Sequence, residues 1–229
     1  MNKKTILVTG ASGGIGGAVA WKFLRKGWNV VALVRDLKKK ETQELMKHPG
    51  ATVIKCDLES YESIDMHIGM LVRDGVTFDR VFLGAGTFLW DDGFPGEAKT
   101  REEVAVLLYL ANVMTKLTVL AALRTHCDTS KIHIHIVSSH AARFDKDHAF
   151  RNGKYKEEEY VEKMLAVSTL AESLQAEGVF ASVTLLEPGL INTDMAQNAF
   201  TPERVGPIDW SSVDTPEAYI EKVFTNVVL

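Results

Sequence analysis

The chain has 229 residues, 46% of them apolar and 24% charged, which is enough for one sizeable core and within the length at which a parallel α/β domain stays undivided. Twenty-six Lys and Arg against 30 Asp and Glu leave a net charge of -4 with no basic stripe, so the electrostatic footprint of a nucleic-acid binder is missing. Two cysteines, Cys56 and Cys127, are too few for a disulfide framework and lack zinc-knuckle spacing. With only a short apolar-leaning run before Gly10, too brief for a signal-peptide core, the expected location is the cytoplasm.

In chain order, short β-rich runs alternate with helical patterns: Thr5–Thr9 then Ile15–Lys26, Asn29–Val34 then Lys38–Lys47, Thr52–Cys56 then Tyr61–Val72. The rhythm continues through Arg80–Gly84, a long helix within Thr100–His126, Ile132–Val137, a helix around Glu157–Glu177 and Ala181–Leu186. A short helical piece and a terminal helix at Pro216–Val227 complete it. Strand and helix in alternation predict a Rossmann-type α/β fold, a doubly wound parallel sheet with helices on both faces. Six strands are legible where seven would be usual, and no repeat or linker splits residues 1–229 into more than one domain. The longest apolar stretch, Val104–Met114, is broken by Asn112 and falls short of the roughly 18 residues of a membrane span, so no membrane partner is expected.

Strand Thr5–Thr9 runs directly into Gly10-Ala11-Ser12-Gly13-Gly14-Ile15-Gly16-Gly17 and then into a helix-patterned Ala18–Leu24. Glycines there permit a tight turn, let backbone N–H groups approach a pyrophosphate, and let the helix pack closely with its N-terminus toward the anion. Thr9-Gly10-x-x-x-Gly14-Ile15-Gly16 resembles the TGxxxGIG signature of the short-chain dehydrogenase/reductase family. Gly10, Gly13 and Gly16 also fit the TGxxGxxG of that family's extended branch, for whose C-terminal substrate domain this length leaves no room. Cys56-Asp57-Leu58 is similar to the family's adenine-contacting segment. Leu83-Gly84-Ala85-Gly86 is similar to its NNAG, with Leu83 and Gly84 in place of both asparagines.

The resemblance covers residues 5 to about 195 and implies a nicotinamide coenzyme held by Gly10, Ser12, Gly13, Gly14, Ile15, Gly16, Asp57, Leu58, Ala85 and Gly86. At the end of the second strand an acidic residue would hold the ribose hydroxyls of NAD, but Val34 stands there. Arg35 and Lys38-Lys39-Lys40 follow, placing positive charge where the 2′-phosphate of NADP would lie. NADP is therefore expected over NAD. The alternative is that Arg35 is solvated and pairs with Asp36.

Carbonyl reduction needs a donor that polarises the carbonyl and an acid that protonates the nascent alkoxide. Ile136-Val137-Ser138-Ser139 resembles the family's NISS, which maps its catalytic serine onto Ser139; a register slip would give Ser138, facing the other way. Asn112 aligns with the family's helix asparagine, which supports a water relay; the alternative is an amide that serves a helix contact. No intact YxxxK exists here. The following helix aligns Tyr160 with the family's acid and places Met164 where the lysine belongs. Lys163, one position earlier, either reaches the site or points to solvent.

Twenty-one positions separate Ser139 from Tyr160, about eight more than the family pattern, so residues within His140–Glu159 form an insertion. Phe144, His148, Phe150 and Tyr155 in it would shape a pocket wall or lie on the surface. Pro188-Gly189-Leu190-Ile191-Asn192-Thr193 resembles PGxxxT, implying a cofactor-binding turn in which Pro188 and Gly189 carry the chain across the strand end and the Ile191 backbone and Thr193 hydroxyl hold the nicotinamide carboxamide, with Asp194–Arg204 as a substrate lid.

His133 and His135 alternate with Ile132, Ile134 and Ile136 as in an ordinary core strand, so no metal site is expected. The helices 104–123 and 157–177 correspond to the family's dimer contact, which implies a homodimer. Together these features indicate an NADP-dependent enzyme acting on a small carbonyl or alcohol, or else a catalytically impaired NADP-binding protein that signals cofactor state to a partner.

Overall fold

The computed structural model describes residues 3–88, 100–143, 155–200, 202 and 207–225. Six parallel strands, β1 (Thr5–Thr9), β2 (Asn29–Val34), β3 (Ala51–Lys55), β4 (Arg80–Leu83), β5 (His133–Val137) and β6 (Ser182–Leu186), form one sheet in the order β3-β2-β1-β4-β5-β6. Every expected strand is present within a residue of its expected bounds. The chain winds outward from β1 to β3, returns to β4 and winds the other way, so the topological switch lies between β1 and β4.

β1 and β4 are buried at every residue, and β2 at all but its first, because helices cover both faces. Alternation splits each strand between two cores. Leu7, Val31, Leu33, Val81, Leu83, Ile134 and Ile136 face α3 (Tyr61–Arg73), α5 (Thr115–His126) and α6 (Tyr155–Glu177). Ile6, Val8, Val30, Ala32, Val34 and Phe82 face α1 (Gly14–Arg25), α2 (Lys40–Met46) and the C-terminal helix at Pro216–Phe224. The last helix is anchored by Phe224, edge-on to Phe23 at 5.5 Å, and by a Lys22–Glu221 ion pair of 2.6 Å. β6, the sheet edge, alternates exposed and half-buried residues up to Leu186.

The long central helix is a composite. α4 (Arg101–Tyr109) opens on a reciprocal cap between Thr100 and Glu103, passes through a π turn at Leu110–Met114, and continues as α5. Contrary to the expectation from sequence, this run of 26 residues is long and apolar enough to cross a membrane by length and composition, since Asn112 and Lys116 dilute its hydropathy only slightly. Half of its apolar window is buried inside the fold, where it packs between α3 and α6. A core helix buried on two sides carries the same apolar content as a membrane span.

Candidate active site

The glycine loop between β1 and α1 is built by close approach. Gly10 adopts φ +75° beneath Gly84 and Ala85, and a β-carbon on Gly16 would lie 2.3 Å from the Gly10 carbonyl oxygen, so α1 sits directly on the end of β1. The turn closes through Gly13 N–H donating to the Gly10 carbonyl at 2.9 Å. Gly13 caps α1 without a side-chain hydrogen bond, and no acidic residue stands in the first turn, which leaves the positive end of the helix open to an anion. Ser12 and Ile15 are half-buried beside it, and Gly13 and Gly14 are exposed. A pyrophosphate fits this cradle.

The segment after β6 comes to the same place. Thr193 caps α7 (Asp194–Ala199) by accepting from Ala196 N–H at 3.1 Å, and its methyl packs so near Gly14 that a β-carbon there would be 2.5 Å away. Among the described residues its hydroxyl proton has no acceptor, which leaves it to a ligand. Pro188 and Ile191 are buried, Gly189 is exposed, and the Pro188 carbonyl accepts from His140 N–H at 2.9 Å, tying this segment to the end of β5.

On the adenine side, Asp57 is exposed and accepts from Glu59 N–H at 3.0 Å, and the Leu58 carbonyl accepts from the Thr118 hydroxyl at 3.1 Å. Arg35 is exposed directly after β2. Asp36, its expected alternative partner, instead accepts from Lys38 N–H at 2.8 Å, and Arg35 has no ion pair among the described residues.

Thr9 binds the loop after β4, its hydroxyl accepting from Gly84 and Ala85 N–H at 3.1 and 3.2 Å. Asn112, 3% exposed on the π turn, clamps the loop from the other side. Its Oδ1 accepts from Thr87 N–H at 3.0 Å, and its Nδ2 donates to the carbonyls of Thr87 at 2.9 Å and Leu108 at 3.1 Å. The amide is thus fully committed to the contact between helix and loop, and only its backbone carbonyl faces a further donor.

That donor is Lys116, which sequence reasoning passed over. It is 2% exposed, and its Nζ donates to the Asn112 carbonyl at 2.8 Å and the Ala85 carbonyl at 2.9 Å. The signal was available, because Asn112 and Lys116 are four residues apart and share one face of an otherwise apolar helix.

Ser139 and Tyr160 are brought together as expected, with the Ser139 hydroxyl near enough to the phenol to act on its acidity. Ser139 also accepts from Ala141 N–H at 3.2 Å. Ser138 faces the opposite way and is buried, donating to the Met164 carbonyl at 2.8 Å, which removes the slipped register. The Tyr160 ring stands edge-on to Phe88 at 4.7 Å, against Val104 and Leu108 of α4 and Ala199 of α7. Burial raises the phenol above its ordinary range, and only the Ser139 hydroxyl works in the other direction.

Lys163 is placed elsewhere. Its ammonium is 2.8 Å from Glu159, which also takes Arg101 of α4 at 2.7 Å, so the lysine is bound in an ion-pair bridge between α6 and α4. The expectation that Lys163 stands in for the missing lysine is corrected on this geometry: Glu159 lies four residues before it on the same helix face and captures it. Met164 is 3% exposed within the core. His133 bonds the Ser182 hydroxyl at 2.8 Å and His135 bonds Arg80 at 3.0 Å, so both strand histidines serve the sheet. Phe144, His148 and Phe150 lie outside the described residues, as does Arg204, and Tyr155 opens α6.

A family described as NmrA-like matches residues 2–70, from β1 through most of α3. Human retinol dehydrogenase 13 is 26% identical over 238 residues, covering 93% of this chain and 69% of that protein. The uncharacterized oxidoreductase YbbO of Escherichia coli K12 is 25% identical over 229 residues, covering 96% of this chain and 80% of that protein. Among solved structures, the β-ketoacyl-[ACP] reductase of Bacteroides thetaiotaomicron superposes with a TM-score of 0.78 at 22% identity, over 100% of this chain and 92% of that one. ElxO with NADP bound gives 0.77 at 21% identity, over 98% and 91%. These likenesses establish the fold.

The contact beneath the glycine loop is directly testable. Gly16→Ala is expected to lower the unfolding free energy by about 1–3 kcal/mol, the usual cost of forcing a methyl into a packed site, as read from urea denaturation. A variant as stable as the parent would show that the turn has room for a side chain.

Proposed function

Because this chain is a short-chain dehydrogenase/reductase, and so an NAD(P)-dependent oxidoreductase, we propose that it uses NADPH to reduce a small carbonyl compound, with Ser139 and Tyr160 as catalytic residues. The observation that carries this reading is the placing of Ser139 beside Tyr160 at the C-terminal ends of the strands, on the side of the sheet where the glycine loop opens.

When bound, NADPH supplies the hydride. The chain's own groups do the rest. Ser139 donates to the substrate carbonyl and polarises it, and Tyr160 passes its proton to the oxygen as negative charge develops there. A phenol raised by burial carries its proton at neutral pH and can give it up only as the far more basic alkoxide develops beside it. Phe88 and Phe200 stack at 5.9 Å beside Tyr160, an apolar wall that favours a carbonyl carrying an apolar substituent.

Gly10, Ser12, Gly13, Gly14, Ile15 and Gly16 would hold the pyrophosphate, Asp57 and Leu58 the adenine, and Ala85, Gly86, Pro188, Gly189, Ile191 and Thr193 the nicotinamide end. Arg35 supports NADP over NAD, since an exposed guanidinium after β2 is free to bind the 2′-phosphate in bidentate fashion. The buried Met164 favours a second reading, a catalytically impaired protein that binds NADPH and reports its redox state to a partner.

We further propose a homodimer through α4 and α6, whose Val106, Leu107, Tyr109 and Leu165 are 56%, 44%, 40% and 53% exposed. The free thiols of Cys56 and Cys127 suit the cytosol.

Tyr160→Phe is expected to lower NADPH consumption, assayed over a panel of aldehydes, ketones and quinones, by about 10²–10⁴-fold. Quenching of tryptophan fluorescence by NADPH should remain. A parent protein that binds NADPH yet consumes none with any carbonyl would leave the cofactor-reporting reading in its place. Arg35→Asp should shift the ratio of dissociation constants toward NAD by roughly tenfold or more, the worth of one charge-assisted contact; an unchanged ratio would remove Arg35 from the phosphate site. In sedimentation velocity the parent chain should run as a dimer and the Val106→Glu, Leu165→Glu double variant as a monomer, and a monomeric parent would refute the interface.

A further inference from the structure

The loop 84–88 is fastened to the central helix twice, by the Asn112 amide and, one turn on, by Lys116. Lys116 has no carboxylate within ion-pair distance among the described residues, although it is almost completely buried. An uncompensated buried ammonium is costly, and methionine or leucine would fill much the same volume, so packing does not account for it. The π turn explains part of its placement. Thr115 N–H bonds the Leu110 carbonyl, one register longer than in an α-helix, and the carbonyls of Ala111 and Asn112 accept from the side chains of Thr115 at 2.9 Å and Lys116 at 2.8 Å.

The two carbonyls match both forms of the amine. Neutral Lys116 has two N–H bonds, both satisfied; the charged form adds a third and is held by the same two oxygens. Gaining or losing the proton therefore breaks no hydrogen bond.

We propose that Lys116 is a positioning residue that holds the Ala85 and Asn112 carbonyls and brings a positive charge from α5 to the inner wall of the dinucleotide crevice, behind the loop that would meet the nicotinamide end. The inference rests on the reading of that crevice as an NADPH site. Burial lowers the amine to about 7, within reach of neutral pH. The elements packed around it carry Cys56 and Asp57 after β3, Asp65 on α3 held by His126, and Glu159, Tyr160 and Lys163 on α6. None of them contributes to the lowering, whose single cause is desolvation.

The test uses calorimetric titration of the full chain with NADP+ and with NADPH between pH 6 and 8.5. The oxidised ring carries a positive charge that the reduced ring lacks, so a charged Lys116 disfavours NADP+ selectively. Both coenzymes carry the same 2′-phosphate, whose own titration cancels in the ratio of their dissociation constants. In the parent chain the preference for NADPH should fall roughly tenfold as the pH rises, the factor corresponding to about 1.4 kcal/mol of charge repulsion.

Lys116→Met should show a preference that does not vary with pH. Lys116→Gln, which keeps an N–H donor toward the carbonyls but cannot titrate, should do the same and covers the case in which the methionine variant fails to fold. A lysine with a purely structural role predicts the same pH profile in parent and variants, and that result, or a flat profile in the parent, would overturn the inference while leaving the NADPH reading intact. Failure of the parent to bind either coenzyme would instead remove the NADPH reading, and this inference with it.

Discussion

The candidate site depends on the way one amide fixes a loop to a helix. Asn112 spends both of its donors and its acceptor on backbone groups of Thr87 and Leu108, and each such bond inside a protein costs about 1–3 kcal/mol if one side is left unpaired. The loop it holds begins at the C-terminal end of β4 and carries Phe88, which packs on Tyr160. Through that contact, and through Val104 and Leu108 on the same helix, the position of the phenol follows from the central helix. The π turn that presents Asn112 interrupts a regular helix, and the side chains of Thr115 and Lys116 meet the carbonyls it disturbs.

The other half of the crevice is governed by the absence of side chains. α1 lies on the end of β1 because Gly16 meets the Gly10 carbonyl, and the segment after β6 reaches the same point because Gly14 leaves space for the Thr193 methyl. β1 and β4 are neighbours in the sheet although two further strands separate them in sequence. The loops at their ends diverge there and open the cleft, and Thr9 ties one to the other through its hydroxyl. A single strand residue thus sets the distance between the proposed phosphate cradle and the wall on which the nicotinamide end would rest.

Much of this was legible in the sequence. Periods of two and 3.6, glycines in a fixed order and the paired serines after Ile136-Val137 depend on local spacing, and the structure keeps Ser139 toward Tyr160 and Ser138 away from it for the reason that spacing suggested. Long-range capture was not legible. Arg101 meets Glu159 from 58 residues away, and it makes the Glu159–Lys163 pair part of a bridge between helices rather than a surface contact. The long helix itself was legible, but its apolar stretch was read as broken at Asn112, because a polar residue inside it looked like an interruption when it was a clamp. Lys116 went unseen for a related reason: a lysine in an apolar helix suggests a solvent-reaching tip, and only the loop after β4 reveals that its tip ends on two carbonyls.

The arrangement around Tyr160 constrains its acidity. A phenol enclosed by Phe88, Val104, Leu108 and Ala199 loses solvation for its anion, and the hydroxyl of Ser139 returns only part of it. On α6 the residue one turn further on is Met164, whose carbonyl is committed to Ser138 and whose side chain fills the core, so this helix contributes no charge beneath the ring. Lys163 is neutralised by Glu159, and Lys116 approaches from another helix and contacts backbone alone. Burial therefore holds this phenol in its protonated form and makes it a weaker acid than a solvated tyrosine. Changing that would require a cation next to the ring rather than a change at Ser139, because the dominant effect on the phenol is burial.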